Sequence, residues 1–446
     1  MRRRSALSSI VVLLSWGVIS TPAAAEDVGD VLPDGESYAP AVSADGRYVA
    51  FVSEATNLLA GDPSSDPNGV ADVFLVDTET GTIRPVSSAG APADGSSTDV
   101  DISADGRYVV FETTATNIVT ADANGPASDI VLFDALSGER TLVSRRGASG
   151  VQGDDESRAP TISADGTKIA FWSHATNLVA NDTNAKPDIF VRDVVASVTK
   201  RVSTDSNGRQ ANGASNDGAM APTGTHVALS SIATNLVDRD TNGKQDVFLK
   251  HLGSGRITRV SVTNGERQAL GSSSLQDISA DGRTVAFSSF AANLVKNDDN
   301  GKGDVFVRQR IDGTTVRVSR RGAIEANGDS FGAAISDEGA FVVFQSRATN
   351  LDVGADENGE LDLFEYRVEN KGLVRVSLDV TGGATDGTAY DATISGDGSV
   401  LAFASSATDL VMGDDDGVDD VFVHEWLDTA RLERVVSWWS RVMPLG

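Results

Sequence analysis

Apolar and polar positions alternate along this chain in short β-type runs, and no stretch holds the 3.6-residue period of an amphipathic helix. Ser163–Asp193, SADGTKIAFWSHATNLVANDTNAKPDIFVRD, contains the whole pattern. A turn sequence leads into the apolar run Ile169–Trp172. An Ala-Thr-Asn-Leu corner and an acidic loop follow, and then a second apolar run, Ile189–Val191. Near copies of this string occur six more times. Each is anchored on a glycine: Gly46, Gly106, Gly166, Gly224, Gly282, Gly339 and Gly398, at steps of 60, 60, 58, 58, 57 and 59 residues. Asp-Gly forms the turn in five units, with Thr223-Gly224 and Glu338-Gly339 in the other two. Asp-Gly between apolar runs predicts a two-residue hairpin turn with both central residues at positive φ.

A third run follows the acidic loop, as in Asp304–Arg308, and a fourth carries Arg-Val-Ser, as in Val316–Ser319. Seven units of four short strands predict an all-β fold, a seven-bladed β-propeller of four-stranded antiparallel blades over residues 38–437. Solenoid repeats are shorter, roughly 20–45 residues. All four strands of each unit read as contiguous, so no strand exchange between the first and last blades is expected. Ring closure is left to residues 26–37 or to the C-terminal tail, 438–446, with Trp438 and Trp439. In an up-and-down blade the short first and third turns share one face, and all the long loops share the other. The long-loop face is where binding is expected.

The ends and the charge add a setting. Arg2, Arg3 and Arg4, an apolar run from Ile10 to Ile19, and Ala23-Ala24-Ala25 before Glu26 have the layout of a secretory signal peptide, residues 1–25. The mature chain is expected to be exported, periplasmic or secreted, without a membrane span, and monomeric. It has no cysteine, so no disulfide stabilises it. Removing three arginines and no acids takes the formal net charge from −27 to −30, which repels nucleic acid and anionic lipid and attracts cations.

The Ser-Ala-Asp-Gly turn, the Val-Ala-Phe strand after it and the later Asp-Val-Phe-Val strand resemble the WD-like propeller repeats of the TolB family, across nearly all of residues 38–437. The resemblance implies the propeller and little about function. Tol-system members carry an α/β domain before six blades, so a Tol–Pal role is not implied for seven blades with no room for that domain.

The acids concentrate in one loop. Eleven residues after each anchor glycine stands Asn57, Asn117, Asn177, Asn235, Asn293, Asn350 or Asp409. Asp-x-Asn-x-x-x-Asp follows as Asp66/Asn68/Asp72, Asp182/Asn184/Asp188, Asp240/Asn242/Asp246, Asp298/Asn300/Asp304 and Asp356/Asn358/Asp362. The second unit is one residue longer, Asp122/Asn124/Asp129, and the seventh reads Asp414/Asp416/Asp420. Alternate oxygen side chains on a tight loop suit Ca²⁺, although the bidentate glutamate that completes an EF-hand is missing. The competing reading is that Asp and Asn tie turns to backbone amides. For the final Asp of each loop, that structural role is preferred.

Gly328-Asp329-Ser330-Phe331-Gly332 matches a nucleophile-elbow pattern. The same serine recurs as Ser37, Ser97, Ser157, Ser215 and Ser273, and no helix follows it, so it reads as a turn device. His174, His226, His251 and His424 show no HExxH-like pairing, which argues against zinc. Seven residues after the anchor stands a constant Ser or Thr, from Ser53 to Ser405. The next position varies: Glu54, Thr114, His174, Ile232, Phe290, Arg347 and Ser406. A constant frame with a variable rim is how a repeat ring acquires a ligand. The expectation is a non-enzymatic binding or scaffold propeller, stabilised by calcium, that takes a protein or glycan on the long-loop face. The alternatives are a carbohydrate-active hydrolase or lyase working at the central pore, and a purely structural envelope component.

Overall fold

A computed structural model describes residues 33–59, 68–88, 90–120, 122–148, 150–352, 358–411, 414 and 416–426, with the backbone of Val11–Ser15. Six consecutive four-stranded antiparallel sheets and a seventh sheet form the ring of a β-propeller. Blade three is representative, with strands Ser157–Ile162, Lys168–Ser173, Asp188–Asp193 and Val198–Arg201, from the central channel outward.

The second and third strands of each blade are buried on both faces because adjacent blades pack against them. Their apolar residues therefore form runs instead of alternating. Stacked cross-strand phenylalanines fix the register in five blades, for example Phe171 on Phe190 at 6.0 Å. Seven apolar clusters fill the seven wedges between neighbouring blades. The cluster of Phe51, Leu58, Phe74, Val400 and Val421 joins blade one to blade seven.

The turn between the first two strands differs from the sequence expectation. Only the glycine takes positive φ, +75° at Gly46. Its N–H bonds back to the Ser43 carbonyl at 2.9 Å, so Ala44 and Asp45 are the central residues of the turn. The Asp45 carboxylate accepts the Ser43 hydroxyl and the Arg47 N–H, which holds the aspartate in an ordinary conformation. The glycine is needed for space as well. A Cβ on Gly106 would stand 2.2 Å from the Tyr48 ring of the preceding blade.

These turns close a circle. The Ala44 N–H donates to the Ala104 carbonyl, and equivalent bonds run through Ala164, Pro222, Ala280, Asp337 and Gly396 back to Ala44. Pro222 has no N–H, and the Thr223 amide and hydroxyl make that link instead. Blade seven joins blade one by the same devices as every other pair, including Ser37 N–H to the Asp419 carbonyl at 2.6 Å. Among the described residues, closure runs through the inner strands, with Ser37, the last residue of the 26–37 segment, making one of its bonds.

Blade seven departs from contiguity. Its three antiparallel strands, Ala389–Ile394, Val400–Ser405 and Asp420–Trp426, take Val11–Ser15 as a parallel outer strand. That segment lies inside the stretch read as an export leader. Residues 26–32 and the tryptophan tail lie outside the described residues.

Candidate functional site

The acidic loops resolve into two kinds. In blades three to five, an arginine on the outer strand sits between the first and last aspartates. Arg201 lies 3.2 Å from Asp182 and 3.1 Å from Asp188. Arg259 spans Asp240 and Asp246 at 3.2 and 3.5 Å, and Arg317 is 3.1 Å from both Asp298 and Asp304. In blade six, Arg375 approaches Asp362 at 3.4 Å and Asp352 at 3.5 Å. Asp356 lies outside the described residues. The loop asparagines are committed as well: the amides of Asn184, Asn242, Asn300 and Asn358 reach carbonyls of the next connector. Blade two has Leu142 at the arginine position. There the Gln152 amide reaches Asp122, Asn124 and Asp129, at 2.9, 2.6 and 2.5 Å.

In blades one to six the last aspartate of the loop performs a constant task. Asp129, Asp188, Asp246, Asp304 and Asp362 accept a buried serine hydroxyl from the outer edge of their own blade. That serine in turn accepts the next residue's N–H. Asp72 of blade one pairs with Ser87 in the same way, and Asn68 reaches the Ala93 carbonyl. Asp66 lies outside the described residues.

Blade seven is the other kind. Carboxylate oxygens of Asp414, Asp416 and Asp420 lie within 4.8 Å of one another, with Asp414 and Asp420 buried and Asp416 exposed. Burial, and then the charges of Asp414 and Asp416, push the Asp420 carboxyl up to about 7. Three carboxylates at this spacing form a group that could hold a metal ion.

The recurrent serines are frame. Ser330, the elbow candidate, is buried and shares a hydrogen bond with Ser346 at 2.8 Å, and the same pair recurs from Ser37–Ser53 to Ser273–Ser289. A hydroxyl held in this pair cannot reach a substrate. The residue eleven after each anchor is also structural. From Asn57 to Asp409, its side-chain oxygen accepts a connector N–H in all seven blades.

The variable rim residues stand where the second strand meets the long-loop face. Glu54, Thr114, His174, Ile232, Phe290 and Arg347 are exposed there, and Ser406 is half-buried. Their backbone N–H groups bond to the residue just before the inner strand, which draws the rim in towards the channel. His174 reaches Glu156 at 3.7 Å and lies edge-on to Trp172 at 5.4 Å.

The channel wall holds residues that the pattern reading passed over. Asp101 accepts the Ile102 and Ile162 amides at 2.8 Å, joining blade two to blade three. Asp277 does the same between blades five and six with Ile278 and Ile335. Burial raises these carboxyls to about 6 and about 7. Near the long-loop side, Glu112 is buried, and Oε2 receives no N–H or O–H donor among the described residues. Burial and the neighbouring Asp99 carboxylate raise Glu112 to about 8. Arg158 lies 3.6 Å from Glu112 and 5.9 Å over the Trp172 ring. The sequence signal was a glutamate inside the otherwise apolar strand Tyr108–Thr113.

No family model matches the chain, and no curated protein matches it by sequence. Solved structures share its fold. The β-propeller domain of the Trilobed protease from Pyrococcus furiosus superposes with a TM-score of 0.53 at 9% identity, covering 87% of this chain and 95% of that one. Oligogalacturonate lyase from Vibrio parahaemolyticus gives 0.51 at 12% identity, covering 87% and 90%. TolB from Acinetobacter baumannii gives 0.40 at 14% identity, and the match spans 63% of that protein.

Proposed function

We propose that this chain is an exported, non-enzymatic β-propeller that works as a monomeric binding or scaffold module. Its long-loop face takes a protein or glycan, and Asp414, Asp416 and Asp420 hold calcium. The observation that best supports this reading is how the repeat is used. The recurrent serines, asparagines and loop aspartates are bonded inside the ring, whereas the residues that differ between blades stand exposed around the channel mouth. Calcium would supply the positive charge that arginine supplies in blades three to six, without any role in turnover. A glycan array probed in calcium with the chain lacking residues 1–25 tests the binding claim. Binding that a His174→Ala/Phe290→Ala variant loses supports it. Chemical conversion of the bound glycan contradicts it.

A second reading, a carbohydrate-active hydrolase or lyase at the channel, is favoured by Asp99, Glu112 and Arg158 and does not rest on the lyase likeness. A buried carboxyl raised above its ordinary value, beside a second carboxyl, a guanidinium and an indole, could bind and protonate a sugar. Product release from acidic oligosaccharides, abolished by Glu112→Gln, would establish it. The absence of product across neutral and acidic glycans would remove it.

A further inference from the structure

A cavity of about 560 Å³ opens between blades three and four on the short-turn side of the disc. This volume falls within the range of small-molecule sites, roughly 300–1,000 Å³. Its origin can be read from the anchor glycines. At six junctions, the residue opening the second strand covers the glycine of the next blade: Tyr48, Tyr108, His226, Thr284, Phe341 or Val400. Their nearest atoms lie 2.2 to 3.0 Å from the place a Cβ would take. At the remaining junction, Lys168 faces Gly224 with its Nζ, at 3.4 Å. A flexible, narrow side chain stands where a ring or branched group fills the equivalent wedge, and the space stays open.

The walls of this cavity are apolar, from Val191, Val198 and Val202 of blade three and Leu252 of blade four. Its charged groups differ in how far they are already used. Lys250 is buried and donates to the Thr204 carbonyl, the Thr204 hydroxyl and the Asp205 carbonyl, at 2.9, 2.8 and 3.0 Å, so its donors are spent. Arg201 is held by Asp182 and Asp188. Asp193 accepts the Ala196 N–H. Lys168 and Lys200 also line the cavity, and neither ammonium makes a hydrogen bond or salt bridge among the described residues. Asp165, at the neighbouring turn, is the acid that feels the charge of Lys168. In a chain of net charge −27, two uncommitted ammonium groups over an apolar slot form a local site for the opposite kind of ligand.

We propose that this cavity binds a small anionic amphiphile, a monocarboxylate with an unbranched apolar tail. The tail lies between Val191, Val198, Val202 and Leu252, and the carboxylate meets Lys168 and Lys200. Burial of the tail drives binding, and the two charge-assisted hydrogen bonds select the head group.

Isothermal titration of the full-length chain with decanoate, decanol and decyltrimethylammonium tests this. Decanoate is expected to bind at one site, at least about tenfold more tightly than the other two, the factor expected for charge-assisted hydrogen bonds. Lys168→Gln/Lys200→Gln should remove that preference and leave decanol binding unchanged. Lys168→Tyr introduces the ring already used in blades one and two, and should abolish binding of all three with no fall in melting temperature. If that variant fails to fold, Leu252→Trp fills the same space from the opposite wall. Three results would overturn the proposal: no decanoate binding by the wild-type chain, equal affinity for the cationic amphiphile, or decanoate affinity that survives a folded cavity-filling variant.

Discussion

Blades five and seven answer the same electrostatic problem differently. In blade five, the buried carboxylates Asp298 and Asp304 close on Arg317, which also reaches Glu325 at 2.5 Å. In blade seven, Asp416 replaces the asparagine, and the three carboxylates of Asp414, Asp416 and Asp420 face one another. The opposing causes at Asp304 are burial on one side and Ser319, Arg317 and Asn300 on the other. At Asp420, every cause raises the carboxyl. Among the described residues, the repeated motif is frame where an arginine or Gln152 meets its aspartates, and a candidate site at Asp414, Asp416 and Asp420.

The largest way to break this contrast is Arg317→Ala. It leaves buried carboxylates without a partner and should cost about 3–5 kcal/mol in urea unfolding. Millimolar calcium should restore part of that loss, since the variant loop then resembles blade seven. An Arg317→Ala chain as stable as wild type would show that the arginine is incidental.

Next in size is calcium itself. At a hundredfold excess over Kd it should stabilise the wild-type chain by about 2.7 kcal/mol, read as a rise in melting temperature that chelator reverses. Proton and cation compete for Asp420, whose carboxyl is raised to about 7. Calcium affinity should therefore weaken as pH falls through that value, and a flat affinity from pH 8 to 5.5 would contradict the assignment.

A smaller effect belongs to the channel. Asp277 has its folded value raised to about 7, so the folded state binds its proton more tightly than the unfolded chain does. That contribution is complete below about pH 4, where the unfolded carboxyl is also protonated, and is lost as pH rises through 7. Chelated protein should melt at progressively lower temperature from pH 5 to 8, and Asp277→Asn should flatten the slope. An unchanged slope in that variant would remove Asp277 as the cause.

The smallest expected change is Ser330→Ala, which breaks one buried hydroxyl pair and should cost about 1 kcal/mol. Loss of a measured activity without loss of stability would return Ser330 to the role of nucleophile.

Fold and frame were legible because they repeat. Seven glycine-anchored units specify blades, and the constant serines announce a shared bond through their very uniformity. The pairing of Arg201, Arg259, Arg317 and Arg375 with the loops was harder to read. Arg-Val-Ser is plain in the sequence, but its partners stand across two strands. Blade two carries no compensating change that could be read: it has Leu142 in place of the arginine, and its Gln152 recurs as Gln210 in blade three, which reaches Asp182 and Asp188 beside Arg201. Glu112 and Asp277 could be seen as acids but not as buried ones, because their environment comes from neighbouring blades. Lys168 was invisible for the same reason, since its meaning lies in the glycine it fails to cover.

Calcium titration of the metal-free chain by calorimetry, at pH 8 and in parallel with Asp416→Asn, tests the central contrast most directly. A single site per chain that disappears in the variant is the expected result. Several equivalent sites, no binding, or binding indifferent to Asp416 would contradict it.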